Sequence, residues 1–490
     1  MDKLHIRKNA YYDSVSLMLI SKDLGGLPGV GAALVGMGTN LNKELSRNIG
    51  LDTPELEHIT GNDFFVAADC ADETVWQAVL EKVDALLAAK QQAGGTEYNP
   101  ATLRTAVRMM PDLNLALISV PGRYAADVAR DCLERGIHVM LFSDNVSMEE
   151  ERSLKAFAVE QGLLMMGPDC GTAIINGVPL AFANVVRRGK IGIVGASGTG
   201  TQEVTSLLDQ LGAGVSQVIG TGGRDLKREI GGLMFCQALD ALIADAATEV
   251  IVLISKPPDA EICEKILERA ARGGKPTVVC FLGGDTAEIA RHGLIAACSL
   301  EDAAHKAAAL SMGETVTTYD SFDMGEAAAR ELARKQTPGG DSLRGLYTGG
   351  TLCDEAVKLL AALDLTQGHS FIDFGDDTYT VGRPHPMIDP SLRNEHLIQA
   401  ARDPKTALLL LDCVIGYGAH PNAAGELADA IRRAAPRVPV IVSVCGTAGD
   451  PQGLQTSRET LEAAGALVFP SNAQAVRFAK LVLDERGCSA

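Results

Sequence analysis

Short apolar runs alternate with helical stripes along most of this chain, and Gly/Ser/Thr/Asp loops divide them. Residues 5–8, 31–37 and 64–67 read as strands, and 14–24 reads as a helix with Val15, Leu17, Met18 and Leu19 in its stripe. A helix over 75–89 carries Val75, Val79, Val83, Leu86 and Leu87 on one face, and QQAGGTEYNP at 91–100 reads as a linker. Strands at 115–120, 138–142 and 163–166 then alternate with helices at 125–134 and 148–161, which predicts βαβ crossovers and a parallel sheet. Polar loops follow these strands, and ligands of open parallel sheets bind at such carboxyl edges. Asn145 and Asp169 are candidate contacts there, or caps of the next helices.

The run KIGIVGASGTGTQE at 190–203 is a buried strand, a loop of glycines and hydroxyls, and a helix start. Such a start turns free N–H groups and a positive dipole end toward an anion. The same residues also make a well-capped tight turn. The loop is neither a Walker loop nor a GxGxxG fingerprint. Strand 214–220 enters GTGGRDL, with Gly222, Gly223, Arg224 and Asp225, and strands at 250–254 and 277–282 follow. Residues 312–340 read as a helical, polar connection between domains. The order of parts then recurs, with strand 343–347 entering Thr348-Gly349-Gly350-Thr351 and strand 371–374 entering Gly375-Asp376-Asp377. Strands at 408–411, 440–444 and 467 onward complete the copy. This order predicts two copies of one flavodoxin-like unit, with helices at Gly198 and Gly350 aimed at one point.

Composition narrows the function. Lys plus Arg is 44 against 62 for Asp plus Glu, a net charge of −18, which argues against nucleic acid and anionic membranes as partners. An anionic substrate therefore needs a local site built from dipoles. The charged amino terminus and the lack of a long apolar run predict a cytoplasmic protein without a membrane span. Eleven cysteines stand at no metal-like spacing and read as reduced, with no metal site expected.

GPDCGTAIING at 167–177 with GKIGIVGASGTGTQE at 189–203 resembles the α subunit of succinyl-CoA ligases, and 343–485 resembles the carboxyl-terminal domain of their β subunit. YYDSVSLM at 11–18, FSDNVS at 142–147, GTGGRDL at 220–226, RGLYTGGTLCDE at 344–355 and GRPHPMIDP at 382–390 resemble the FdrA family of acyl-CoA synthetase-like proteins over nearly the whole chain. The resemblance implies an α/β fold with parallel sheets. It implies a small α/β unit at 1–92, a Rossmann-like, CoA-binding-like domain at 100–188, and flavodoxin-like succinyl-CoA ligase-type domains at 189–312 and 343–490.

By motif, Ser197, Gly198, Thr199 and Thr201 would form one phosphate cradle and Gly349, Gly350 and Thr351 the other. Gly222, Gly223, Arg224, Asp225, Asp376 and Asp377 are further candidate substrate contacts, and Asn145 and Asp169 candidate contacts at a CoA edge. Glu203 matches a carboxylate that orients a phosphohistidine, although it could equally serve the helix dipole. The histidine loop of the ligases has no counterpart; AEIARHGLIAACS at 287–299 offers only His292, expected at a helix end. No ATP-grasp domain is expected. The family likeness implies a subunit of a carbamoyltransferase complex, converting oxalurate and phosphate to oxamate and carbamoyl phosphate with subunits encoded alongside. The alternative is an acyl-CoA synthetase subunit needing an ATP-binding partner, or a non-catalytic CoA-binding subunit. Inorganic phosphate is the expected co-substrate, CoA a further ligand, and an oligomer the expected state. His385, fixed between Pro384 and Pro386, is a candidate general acid–base or a residue that pins its loop.

Overall fold

The computed structural model describes all residues except 9, 11, 13, 62, 94–99, 101, 337–338, 362–367, 381–382 and 486–490. Most of the linker at 91–100 lies outside the described residues, as do Tyr11, Asp13 and Gly382 of the family motifs. The chain forms two compact units, one of residues 1–111 with 377–384, the other of 112–376 with 385–490.

In the first unit, β1 (Asp2–Arg7), β2 (Val30–Met37) and β3 (Phe64–Cys70) make a sheet of order β1-β3-β2. Both pairings are antiparallel. This corrects the expectation that every unit is parallel. β1 and β2 run the same way across the helix Ser14–Gly25, but β3 slots between them, a split βαβ arrangement. Adjacency of strands along the chain cannot reveal such an insertion. The helix Glu73–Ala93 lays Val79, Val83 and Leu87 on this sheet. It extends into residues read as linker, because 91–93 continue the helix.

The described residues of the second unit form three sheets. β4 (Leu115–Ile118), β5 (His138–Leu141) and β6 (Met165–Met166) are parallel in that order. A hairpin of β7 (Thr172–Ile175) and β8 (Val178–Ala181) follows, turning at Asn176 and Gly177, both at positive φ. Asn-Gly between apolar runs is a strong hairpin signal, and sequence reading missed it. The hairpin joins the next sheet through an antiparallel β7–β10 pairing.

That sheet contains β9 (Arg188–Gly195), β10 (Val215–Gly220), β11 (Val250–Ser255), β12 (Thr277–Phe281) and β13 (Ile295–Ala296), in the order β13-β12-β11-β9-β10-β7-β8. The last sheet contains β14 (Ser342–Tyr347), β15 (Ser370–Asp373), β16 (Thr406–Val414), β17 (Val440–Cys445) and β18 (Leu467–Phe469), ordered β15-β14-β16-β17-β18. Numbered within each domain, β9–β13 and β14–β18 both run 2-1-3-4-5 and parallel, the flavodoxin-like order. The duplicated order of parts is thus a duplicated topology. One apolar core runs through both copies. Between 313 and 341 the described residues hold one helix, Glu326–Arg334, so the connection is less helical than its sequence suggests.

Among the described residues, no helix is long and apolar enough to cross a membrane.

Candidate functional site

β9 is buried from Ile191 to Gly195 and ends where the chain must turn at once into the helix Gly198–Gln210. Ser197 caps that helix from an extended conformation, its Oγ accepting the Gly200 N–H at 3.1 Å. Thr201 Oγ1 donates to the Ser197 carbonyl at 2.5 Å, so this threonine holds the turn rather than facing solvent.

The second copy solves the same problem differently. Gly349, with no side chain, precedes the helix Gly350–Leu359. Asp412, near the end of β16, accepts Thr348 N–H at 2.8 Å, Gly349 N–H at 2.8 Å and the Thr348 hydroxyl at 3.0 Å. The buried Arg393 guanidinium balances it, 3.5 Å from Oδ1. The Gly349 amide is therefore already committed, and this helix has Gly350 and Thr351 left to offer.

The two helix starts meet. Ser197 Oγ and Thr351 Oγ1 share a hydrogen bond of 2.7 Å. A Cβ on Gly200 would stand 2.8 Å from Thr351 Cγ2, and one on Gly349 2.9 Å from Thr199 Cγ2, so glycine permits the approach from both sides. Each helix start carries roughly half a positive charge and N–H groups without intrahelical acceptors. Bringing two together favours negative charge beside them, and Asp373 Oδ2 already lies next to Gly350. Gly198 is exposed and Gly350 half-buried, so the junction is reachable.

Behind the junction lies a buried polar layer. Glu203, the fifth residue after Gly198, accepts the backbone N–H of Asn472 at 2.8 Å. Glu355, the fifth after Gly350, accepts the N–H of Leu300 at 2.7 Å and the Asn472 side-chain amide at 2.8 Å. Burial pushes Glu203 up to about 8; the Asn472 N–H opposes that shift and the neighbouring Glu355 adds to it. Burial likewise raises Glu355 to about 7. Glu203 is thus placed as a cap on another domain's helix.

Asp373 and His385 lie on the Gly350 side. Asp373 Oδ1 accepts the Gly375 N–H at 2.8 Å, while Oδ2 lies so close to Gly350 that a Cβ there would collide with it. Burial raises its pKa to about 6. Sequence reading passed over Asp373 because it sits inside an apolar strand, SFID, and its signal was only its place at a carboxyl edge. His385 Nδ1 accepts the Met387 N–H at 3.2 Å, leaving the proton of the neutral ring on Nε2. Its ring lies against Phe182, with centroids 5.5 Å apart, and burial lowers its pKa to about 4. Nε2 faces Gly375, where an added Cβ would stand 2.7 Å away.

Other sequence-predicted residues lie elsewhere. Asp225 is buried, bonding Lys155 Nζ at 2.9 Å and the N–H groups of Met234 and Phe235. Arg224 pairs with Glu151 at 2.8 Å. Both serve packing, and Gly222, at φ +82°, lets their loop approach Pro168. Gly223 lines an open cleft. Asn145 and Asp169 are exposed in left-handed conformations, and the cap of helix Met148–Glu160 is Ser147 in a capping box with Glu150, not Asn145. Asp376 is exposed, and Asp377 belongs to the first compact unit. His292 ends the helix Thr286–Arg291, its Nε2 3.3 Å from Glu264.

A CoA-ligase family model matches residues 346–482 and a CoA binding domain model matches residues 186–283. A model described as AllF, heavy metal-associated domain matches 1–102, a segment whose one cysteine is Cys70. The α-2 subunit of the mitochondrial ADP-forming succinate–CoA ligase of Trichomonas vaginalis is 32% identical over 36% of this chain and 58% of its own length. The sulfoacetate-CoA ligase subunit SqwL of an Acholeplasma species is 28% identical over 36% and 60%. The chain thus spans about 60% of these ligase subunits. PH0766 of Pyrococcus horikoshii, a solved structure, covers 80% of this chain and 89% of its own at 17% identity, with a TM-score of 0.36, too low to carry an argument. YahF of Escherichia coli K12 is 42% identical over 96% of both chains. The chain belongs to the FdrA/YahF family of succinyl-CoA ligase-like proteins.

Proposed function

We propose that this chain is the phosphate-handling subunit of an acyl-CoA synthetase-like enzyme, binding inorganic phosphate or an acyl phosphate where the helices at Gly198 and Gly350 meet. The Ser197–Thr351 contact carries this reading, because it brings two positive helix ends together at a part-buried place that is open at Gly198. In the CoA-ligase form, CoA is a substrate whose thiolate attacks the carbonyl of the acyl phosphate. The C–S bond forms, the C–O bond breaks, and the helix ends stabilise the departing phosphate. The likeness to ligase subunits favours this form. An ATP-binding partner subunit supplies the acyl phosphate, and the assembly is cytoplasmic.

A second reading rests on His292, which is bonded to Glu264 at a helix end and lacks the glycine-flanked loop of a phosphoryl carrier. A chain that keeps the phosphate site without that carrier suits transfer to phosphate itself. Phosphate oxygen attacks the carbamoyl carbon of oxalurate, the C–N bond breaks, and oxamate nitrogen takes a proton. In this reading Asp373 or His385, whose polar atoms lie beside Gly375, gives that proton.

The test is direct. Phosphate binding is followed by ³¹P NMR, then two assays are run with the neighbouring gene products present: succinyl phosphate with CoA, and oxalurate with phosphate. Ser197→Ala/Thr351→Val should lower whichever activity appears by about a hundredfold or more, the scale of losing oriented donors. Absence of phosphate binding in the parent sinks both readings.

A further inference from the structure

The two copies differ at the strands that flank each helix start. In the second copy, Asp373 ends β15 opposite Tyr347, the last residue of β14. In the first, the matching place opposite Gly195 belongs to Gly220, where a side chain would collide with the backbone of Thr172. Asp412 likewise stands where the first copy has Ile254. The helix at Gly198 therefore starts without a carboxylate from its neighbouring strands, and the helix at Gly350 starts beside two.

Those two carboxylates are not equivalent. Asp412 is fully buried, spends both oxygens on the Thr348 and Gly349 donors, and faces Arg393. Asp373 is only half-buried, and the cation that bears on it, Lys256, is already paired with Asp354 at 2.5 Å. Its Oδ1 accepts the Gly375 N–H at 2.8 Å, while Oδ2 lies against Gly350. That is the place an anion takes at a helix start.

We infer that Asp373 is an internal stand-in for the anion, and that phosphate or acyl phosphate takes the Gly350 helix start as Asp373 accepts a proton from solvent and yields the place. The inference rests on the helix ends being the phosphate site and couples occupancy of that site to a proton. A like charge within about 4–6 Å favours the neutral form of a carboxyl, so a bound phosphate drives the uptake. Protonation is within easy reach. Burial raises the Asp373 carboxyl to about 6; the Gly375 N–H and Lys256 oppose the shift, and Asp412 and Asp354 add to it. The Cys353 thiol on the Gly350 helix is pushed up by burial and by Asp373 itself, so it stays neutral. His385, whose Nε2 shares the surroundings of Gly375 with Asp373 Oδ1, is lowered to about 4 by burial and is neutral from about pH 5 upward. In the oxalurate reading, this uptake loads the proton that the leaving nitrogen needs.

The full chain is titrated calorimetrically with sodium sulfate, a dianion whose charge is constant from about pH 5.5 to 7.5. Affinity should fall about tenfold from pH 5.5 to 7, and at pH 7 each sulfate should bring roughly one proton with it, read from two buffers of unlike ionisation heat. Asp373→Asn keeps an oxygen for the Gly375 N–H and cannot ionise. It should bind sulfate about tenfold more tightly than the parent at pH 7, with the pH dependence and the proton uptake both lost. Asp373→Ser makes the same comparison should the amide variant not fold. Glu203 and Glu355 titrate in the same range, at about 8 and about 7, so uptake that persists in these variants belongs to them and overturns the inference. Sulfate binding by the parent without proton uptake also overturns it and leaves the helix-end site standing. Failure of the parent to bind sulfate or phosphate at pH 5.5 strikes the helix-end reading, and the inference with it.

Discussion

Glu203 and Glu355 occupy the same position in the two facing helices, and each caps a helix of the other domain. Glu203 takes the first N–H of the helix Asn472–Asp484, and Glu355 takes the first N–H of the helix Leu300–Met312. The two capped helices follow equivalent serines, Ser471 and Ser299, whose hydroxyls accept the Gln474 and Asp302 N–H groups. The duplicated domains are therefore locked by a reciprocal exchange of caps just behind the helix junction. Each carboxyl oxygen accepts at a positive dipole end in the buried interior. The junction's separation is thus set by buried bonds as well as by apolar packing.

This lock should be sensitive to pH. Both carboxyls have folded pKa values, about 8 and about 7, above the ordinary 4.5. Between those limits the folded chain holds protons that the unfolded chain has released. Their contribution is fully present below about pH 4.5 and is lost as pH rises through 7 and then 8. Each group changes stability by up to about 1.4 kcal/mol per pH unit in that window. Melting curves from pH 5 to 8.5 should show a falling Tm, and Glu203→Gln should flatten the decline. An unchanged slope in that variant would place the protons elsewhere.

Ser197→Ala with Thr351→Val removes the hydroxyl bridge without disturbing the buried caps. The double variant loses both the hydroxyl bridge and the Ser197 cap on Gly200 N–H, so its stability should fall by about 1–3 kcal/mol. Its phosphate affinity should fall at least about tenfold, as expected when a charged ligand loses the one hydroxyl donor not spent between Ser197 and Thr351. ³¹P line widths measure the second effect and circular dichroism the first. Retained affinity would move the anion site away from the junction.

For the proton donor, Asp373 and His385 make different predictions. A neutral His385 donates from Nε2, so His385→Gln, which keeps an N–H donor, should cost less than His385→Leu. If Asp373 moves the proton, kcat/KM of the assembled enzyme should show an apparent pKa near 6. Asp373→Asn should erase that limb and lower turnover about a hundredfold or more. A limb that persists in Asp373→Asn would return the role to His385 or to a partner subunit.

Asp225 offers a negative test. With Lys155 and Glu151 it forms a fully buried ionic cluster joining the helix Met148–Glu160 to the β10 loop. Asp225→Ala should destabilise the chain by about 3–5 kcal/mol, the cost of breaking a buried pair. At temperatures where that variant is folded, phosphate affinity should be near normal. A selective loss of binding with intact stability would restore Asp225 to the site.

The two flavodoxin-like copies and the loops that face each other follow from local pattern along the chain. Apolar runs ending in glycine and hydroxyls specify strand, turn and helix locally, and their order repeats at Ser197–Thr201 and Thr348–Thr351. Other features were decided only in three dimensions. β3 enters between β1 and β2, and the hairpin of β7 and β8 completes a sheet that begins after it. Asp373 reaches Gly350, Asp225 turns inward to Lys155, and Glu203 crosses to Asn472. Each of these depends on a partner far along the chain. A carboxylate's role is set by the donors and the water around it, which residue type and local spacing do not encode. The glycines and hydroxyls of the two loops act through their own backbone and were legible; the buried carboxylates act through distant partners and were not.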